Sequence, residues 1–149
     1  AFYASYFSSK VEDFDAQLIC QGKRAVREKK RWMEDNWDSL TKKEQDLYGV
    51  LELVDEYYSR GFEFHKVDLY RSQANAFIEE DGMLRPPLQS LQGVGDSAAQ
   101  KIVEERVHGE YLSIEDLKSR AKASKTVVDA LVLHGALQEM PERNQLSLF

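Results

Sequence analysis

The tetrapeptide Thr41-Lys42-Lys43-Glu44 leaves this chain the least local freedom. A threonine followed three residues later by a glutamate is a capping box. The Thr41 hydroxyl accepts from the Glu44 amide, and the Glu44 carboxylate returns to the Thr41 amide. Leu47, Leu51, Val54 and Tyr58 then recur at helical spacing, and Gly61 after Arg60 supplies a left-handed stop. A helix between Thr41 and Gly61 follows, and its apolar stripe needs a cover.

The rest of the chain divides by texture. Up to about residue 61 it reads as helical, with helix-forming composition from Ala25 to Trp32 and charges on most sides of Val26. From Phe62 to Pro87 the pattern changes. Phe64-His65-Lys66-Val67-Asp68-Leu69-Tyr70 alternates like a strand, and Ala76–Glu80 and Met83–Arg85 flank Asp81-Gly82, a preferred two-residue hairpin turn. Pro86-Pro87 ends the second strand, because neither residue can donate to a ladder. From Leu88 to Met140 short helices return. The expected architecture is mainly α: a helical part over 1–61, a strand-and-hairpin connector over 62–87, a helical part over 88–140 and an extended tail over 141–149.

Bulk properties exclude little. The one cysteine, Cys20, precludes an internal disulfide and fits a reducing cytoplasm; in Gln17-Leu18-Ile19-Cys20 it reads as a small core residue. No apolar run is long enough to span a bilayer, and no signal pattern opens the chain. The start Ala1-Phe2-Tyr3-Ala4-Ser5-Tyr6-Phe7, rich in aromatics, suggests a piece of something larger. A net charge of −6 does not exclude nucleic acid, because screening acts within about 8 Å at physiological salt and a local basic strip still binds phosphate. Lys23, Arg24, Arg27, Lys29, Lys30 and Arg31 form one strip. Lys118, Arg120, Lys122 and Lys125 form another. For the first strip two readings stay open, a face for template or primer backbone and a merely solvated helix, as a helix charged on most sides usually is.

Leu91-Gln92-Gly93-Val94-Gly95 carries the chemistry. It precedes a helix whose apolar face is Ala98, Ala99, Ile102 and Val103. Two glycines open backbone angles closed to other residues and allow close approach of a second backbone. Just before a helix they leave unpaired amides at the positive end of the helix dipole, which binds a phosphate without reading a base. Val94 anchors the turn in the core. Asp96 complicates the picture, because it can cap the helix itself and repel a phosphate. The contacts then fall to the amides of Gly93 and Gly95, with Ser97 beside them and Lys101 supplying charge one turn on. The pattern resembles the helix-hairpin-helix motif.

A second, degenerate unit follows. Ser113-Ile114-Glu115-Asp116-Leu117 begins a helix, Lys122-Ala123-Ser124-Lys125-Thr126 makes the turn, and Val127, Val128, Leu131 and Val132 give the next helix its buried side before Gly135. The turn lacks glycines, but Lys122, Ser124, Lys125 and Thr126 suit a phosphate equally well. Two such units grip two nearby phosphates with no sequence preference; a merely solvated turn is the competing reading.

The tail Gln145-Leu146-Ser147-Leu148-Phe149 ends on large apolar side chains, a poor design for a soluble chain unless a partner's groove receives them or they fold back as a core plug. Its form resembles the Gln-Leu-(Ser/Asp)-Leu-Phe signature with which bacterial replication proteins bind the ring-shaped sliding clamp.

Other chemistry finds no support. The acidic residues form no setting for a two-metal site, His65, His108 and His134 lack zinc-ligand spacing, and no Walker loop or nucleotide-binding glycine fingerprint is present. The order of a Tyr-rich start, Val67-Asp68-Leu69-Tyr70-Arg71-Ser72, the Asp81-Gly82 hairpin, Leu91–Gly95, Val127-Val128-Asp129-Ala130-Leu131 and Gln145–Phe149 resembles the C-terminal region of the PolC-type DNA polymerase III α subunit of Gram-positive bacteria. The resemblance implies the end of the fingers to about residue 61, then a helix-hairpin-helix part on primer-template duplex DNA, then a clamp-binding tail over Gln145–Phe149. It places the catalytic carboxylates upstream of Ala1, so the isolated chain is expected to be catalytically silent, with no cofactor of its own and magnesium serving the full polymerase. It also implies a bacterial cytoplasmic, nucleoid-associated setting. Two alternatives stand beside it: a helix-hairpin-helix domain of a DNA-repair nuclease or ligase, and a helical scaffold that binds only protein.

Overall fold

The capping box closes in full. In the computed structural model, which describes residues 2–143, Thr41 Oγ1 accepts from the Glu44 amide at 3.2 Å and Glu44 Oε1 accepts from the Thr41 amide at 2.9 Å. The helix it opens, α4 (Lys42–Ser59), follows α1 (Phe2–Ser9), α2 (Ala16–Ile19) and α3 (Lys23–Asp35). Gly61, at φ +90°, turns the chain out of it. α3 lies against α4, and Val26 and Met33 of one and Val50, Leu51 and Val54 of the other are buried. Each such side chain withdrawn from water stabilises the pairing by roughly 1.5–3 kcal/mol.

Beyond Gly61 the expected strand over 64–70 does not form. Phe64 makes a single parallel bridge to Leu84, and the His65 amide donates to the Leu84 carbonyl at 2.8 Å. Asp68 then takes over the backbone: one carboxylate oxygen accepts from the Tyr70 and Arg71 amides, each at 2.9 Å. A side chain that satisfies its own following amides offers the chain an alternative to a ladder. Val67 and Leu69 are nonetheless buried, so the alternation recorded burial and not strand pairing.

The hairpin forms where expected. β1 (Ile78–Glu80) and β2 (Met83–Arg85) pair antiparallel, with Ile78 opposite Arg85, Glu79 opposite Leu84 and Glu80 opposite Met83. Asp81 and Gly82 sit at φ +55° and +79°, the two positive angles a tight hairpin turn of this kind needs. Three further helices complete the fold: α5 (Asp96–Arg106), α6 (Ile114–Ala121) and α7 (Lys125–His134).

A cluster of rings joins the two ends of this order. Phe7 and Phe14 from the first turns of the chain, Tyr57 of α4, and Phe64 and Phe77 meet with centroids 5.5 Å apart for Phe7–Phe14, 4.8 Å for Phe14–Phe77 and 4.5 Å for Tyr57–Phe64. The Tyr57 hydroxyl donates to the Glu63 carbonyl at 2.6 Å and accepts from the Leu84 amide at 3.3 Å. Cys20 borders this core, and burial pushes its thiol up to about 12, as befits a packing residue with little thiolate.

Candidate nucleic-acid interface

The turn before α5 is built from its anchors outward. Leu88, Leu91 and Val94 are buried, and the Val94 amide donates to the Leu91 carbonyl at 3.0 Å, closing the bend. Gly93 takes φ +100°, a region that disfavours any L side chain. Gly95 does not behave as expected. Its φ of −79° and ψ of 174° suit any residue, and a Cβ there would meet nothing within 4 Å. It serves instead as the N-cap of α5, with no side-chain cap.

Among the described residues, no acceptor meets the amides of Gly93, Gly95, Asp96 or Ser97. These donors face outward at the positive end of an 11-residue helix. Asp96 is the first residue of that helix and does not cap it; its Oδ1 accepts from Asn75 Nδ2 at 2.6 Å and Gln100 Nε2 at 3.0 Å. Ser97 is exposed and Lys101 half-buried, four residues apart on one helix face.

The second turn forms the same way with different residues. Ser113 caps α6 and Ser124 caps α7, the Ser124 hydroxyl accepting from the Val127 amide at 3.3 Å. That bond uses the oxygen as acceptor and leaves the hydroxyl proton to donate. Lys122 turns the chain at φ +55°. Lys122, Ser124, Lys125 and Thr126 are all exposed. Lys125 Nζ pairs with Asp129 Oδ2 at 2.8 Å, an ion pair open to solvent and easily exchanged for a phosphate. Val127, Val128 and Leu131 are buried as expected, but Val132 is 52% exposed. The stripe running through Val127 and Leu131 continues at His134, and Val132 falls off its edge.

The two turns meet. A Cβ built on Gly93 would stand 3.3 Å from Thr126 Cγ2 and 3.5 Å from Ala130 Cβ. The absent side chain of Gly93 is therefore what lets the start of α7 lie against the start of α5. Gly93, Val94, Gly95, Ser97, Lys122, Ser124, Lys125 and Thr126 thus fall on neighbouring turns, with Lys101 further along α5.

Four of the expected basic side chains are engaged within the chain. Arg120, counted in the second strip, donates to the carbonyls of Glu105 (2.7 Å), Gly109 (2.9 Å) and Glu110 (2.9 Å), pairs with Asp116 at 3.2 Å and lies 4.5 Å over the Tyr111 ring. It staples the loop between α5 and α6. In the first strip, Arg27 and Lys30 both pair with Asp55 of α4, at 2.9 and 3.3 Å, and Lys29 lies 4.6 Å over Trp32. Sequence reasoning missed the Arg120 staple, although its spacing of four from Asp116 was a signal. The Gly93–Thr126 contact and the role of Asn75 are long-range and left no local trace.

Gln145–Phe149 lie outside the described residues. Among the described residues no cluster of three or more His, Cys, Asp or Glu side chains has an arrangement that could hold a metal ion, and no helix is long and apolar enough to cross a membrane.

Comparison with known proteins agrees with this geometry. The helix-hairpin-helix motif family matches residues 61–146. Over its whole length the chain is 52% identical to the PolC-type DNA polymerase III of Clostridium perfringens (strain 13 / Type A) and 46% identical to that of Caldanaerobacter subterraneus subsp. tengcongensis. Over 99% of the chain it is 44% identical to the PolC-type DNA polymerase III of Bacillus subtilis (strain 168). In these three relatives the chain spans 10%, 11% and 10% of the length, about a tenth.

Proposed function

Because the chain belongs to the helix-hairpin-helix family and is similar along its length to PolC-type DNA polymerase III, we propose that it is the duplex-holding, clamp-tethering part of a replicative DNA polymerase. The observation that carries this reading is the contact of the two turns at Gly93 and Thr126. It sets the N-termini of α5 and α7 side by side, and each presents donors to an anion. The amides of Gly93, Gly95 and Ser97 grip one phosphate. Lys122, the Ser124 hydroxyl, Lys125 and Thr126 meet its neighbour, and Lys101 adds charge. Contacts of this kind hold a backbone in register and read no base.

In this reading the tail is a separate hook. Gln145 hydrogen-bonds at the clamp surface, while Leu146, Leu148 and Phe149 fill an apolar cleft. Burial of each anchor is worth roughly 1.5–3 kcal/mol before ordering is subtracted, so the tail alone binds modestly. Tethering to duplex supplies the rest through effective concentration. Nucleotidyl transfer belongs to residues outside this chain, and the bacterial cytoplasm is its setting.

Titrating the 149-residue chain with a labelled duplex over a range of salt tests the grip. Log affinity should fall linearly with log salt, and Lys122→Ala and Lys101→Ala should each flatten the slope by about 0.9. Salt-independent binding, or slopes unchanged by both substitutions, would refute it. For the hook, Phe149→Ala should abolish retention on a sliding clamp and leave bare-duplex affinity unchanged. Equal loss of both would contradict the division of roles.

A further inference from the structure

Asp96 stands where a phosphate grip can least tolerate a negative charge. It is the first residue of α5, flanked by the free amides of Gly95 and Ser97. A loose carboxylate there would compete with a phosphate for those donors and repel it. The carboxylate is not loose. Gln100, one turn along the same face, donates to Oδ1 at 3.0 Å and draws the side chain along the helix. Asn75 donates to the same oxygen at 2.6 Å, and its Nδ2 also meets Gln89 Oε1 at 2.6 Å. Both protons of the Asn75 amide are thus used, and because a carboxylate only accepts, the orientation of that amide is set.

Asn75 is itself held in place. The preceding carbonyls of Gln73 and Ala74 accept from the amides of Leu88 and Gln89, at 2.9 and 3.1 Å. This backbone pairing fixes the segment carrying Asn75 to the turn that leads into Gly93. We propose that Asn75 is a positioning residue for duplex binding: with Gln100 it restrains the Asp96 carboxylate away from the open amides of the Gly93–Gly95 turn and keeps them available to a phosphate. The proposal rests on the reading of that turn as a phosphate grip. It places a specificity for phosphate in a side chain that touches no phosphate.

A double-mutant cycle on the full chain with a labelled blunt duplex of mixed sequence tests it. Asn75→Ala should weaken binding about tenfold at low salt when Asp96 is present, and less than about twofold in the Asp96→Asn background. Gln100→Ala, on an exposed helix face, should show the same dependence on Asp96 with a smaller loss of about threefold. Circular dichroism and thermal unfolding of each variant separate folding from binding, and if Asn75→Ala does not fold the Gln100 pair decides. Equal losses in both Asp96 backgrounds would mean that Asn75 and Gln100 only support the fold, and would overturn the proposal while leaving the phosphate grip standing. Failure of the unsubstituted chain to bind duplex in a salt-dependent way would remove the grip itself and this proposal with it.

Discussion

Buried at 4% exposure, His134 accepts the Val67 amide on Nε2 at 2.9 Å and meets Gln17 Oε1 with Nδ1 at 3.0 Å, which requires the neutral ring with its proton on Nδ1. Burial, then the nearby Lys66 charge, lowers its pKa to about 4. The unfolded chain takes up this proton near 6.5 and the native chain near 4, so between these values the unfolded state holds one proton more. Stability then rises with pH by about 1.4 kcal/mol per unit; the contribution is complete above 6.5 and is lost as pH falls toward 4. Urea midpoints of the wild type and His134→Gln should converge as pH drops through that window, and a constant gap would refute the assignment. Gly93 and Gly95 make a second contrast between single residues. Gly93→Ala puts a Cβ at φ +100° against Thr126, and should cost roughly 1–3 kcal/mol and weaken duplex binding. Gly95→Ala, at φ −79° with open space, should cost about 1 kcal/mol or less as a poorer cap. Both glycines were legible as a turn. Which one must be glycine depends on a torsion and on a neighbour 33 residues away, and neither is written locally.

At the scale of elements, four features whose partners are local were read well. The box at Thr41 and Glu44, the Asp81-Gly82 turn, the Ser113 cap and the Gly135 stop each close within a few residues. Phe64–Tyr70 failed because its alternation matched a strand while Asp68 supplied a competing turn. α6 shows what a local reading omits. Its opening amides, Ile114 and Glu115, donate at 2.9 Å each to the carbonyls of Pro141 and Glu142, so the chain leaving α7 seals the start of α6. At its other end Arg120 closes the loop that precedes it. Arg120→Lys keeps the charge but loses the planar fork that reaches three carbonyls, and should destabilise the chain by roughly 1–3 kcal/mol in urea unfolding. Duplex affinity at fixed low temperature should hardly change, since this guanidinium faces inward. A loss of affinity comparable to that of Lys122→Ala would return Arg120 to the binding surface.

Across the whole molecule, composition marks where helix gives way to coil at residue 61, and it carries no record of which rings meet across that point. Side-chain bonds cross it besides the aromatic cluster, among them the Phe77 amide to Ser8 Oγ at 2.9 Å, Gln92 Nε2 to the Phe14 carbonyl at 2.9 Å, and His134 to Gln17. The Gln92 bond ties the residue before Gly93 directly to the turn that carries Phe14, so the candidate grip depends on packing at the other end of the chain. Phe14 is fully buried among Phe7, Phe64 and Phe77. Phe14→Ala removes that ring from a filled core and should destabilise the chain by about 3–5 kcal/mol. Both tryptophans, Trp32 and Trp37, lie before residue 61, so their fluorescence follows the first part of the chain while far-UV circular dichroism follows every helix. If the ring cluster couples the two parts, the transitions coincide in the wild type, and Phe14→Ala moves both to the same lower urea concentration. A fluorescence transition that shifts while the dichroism keeps a second, unshifted phase would show that α5 to α7 fold without the first helices, and the grip at Gly93 would then stand free of the core that is argued to hold it.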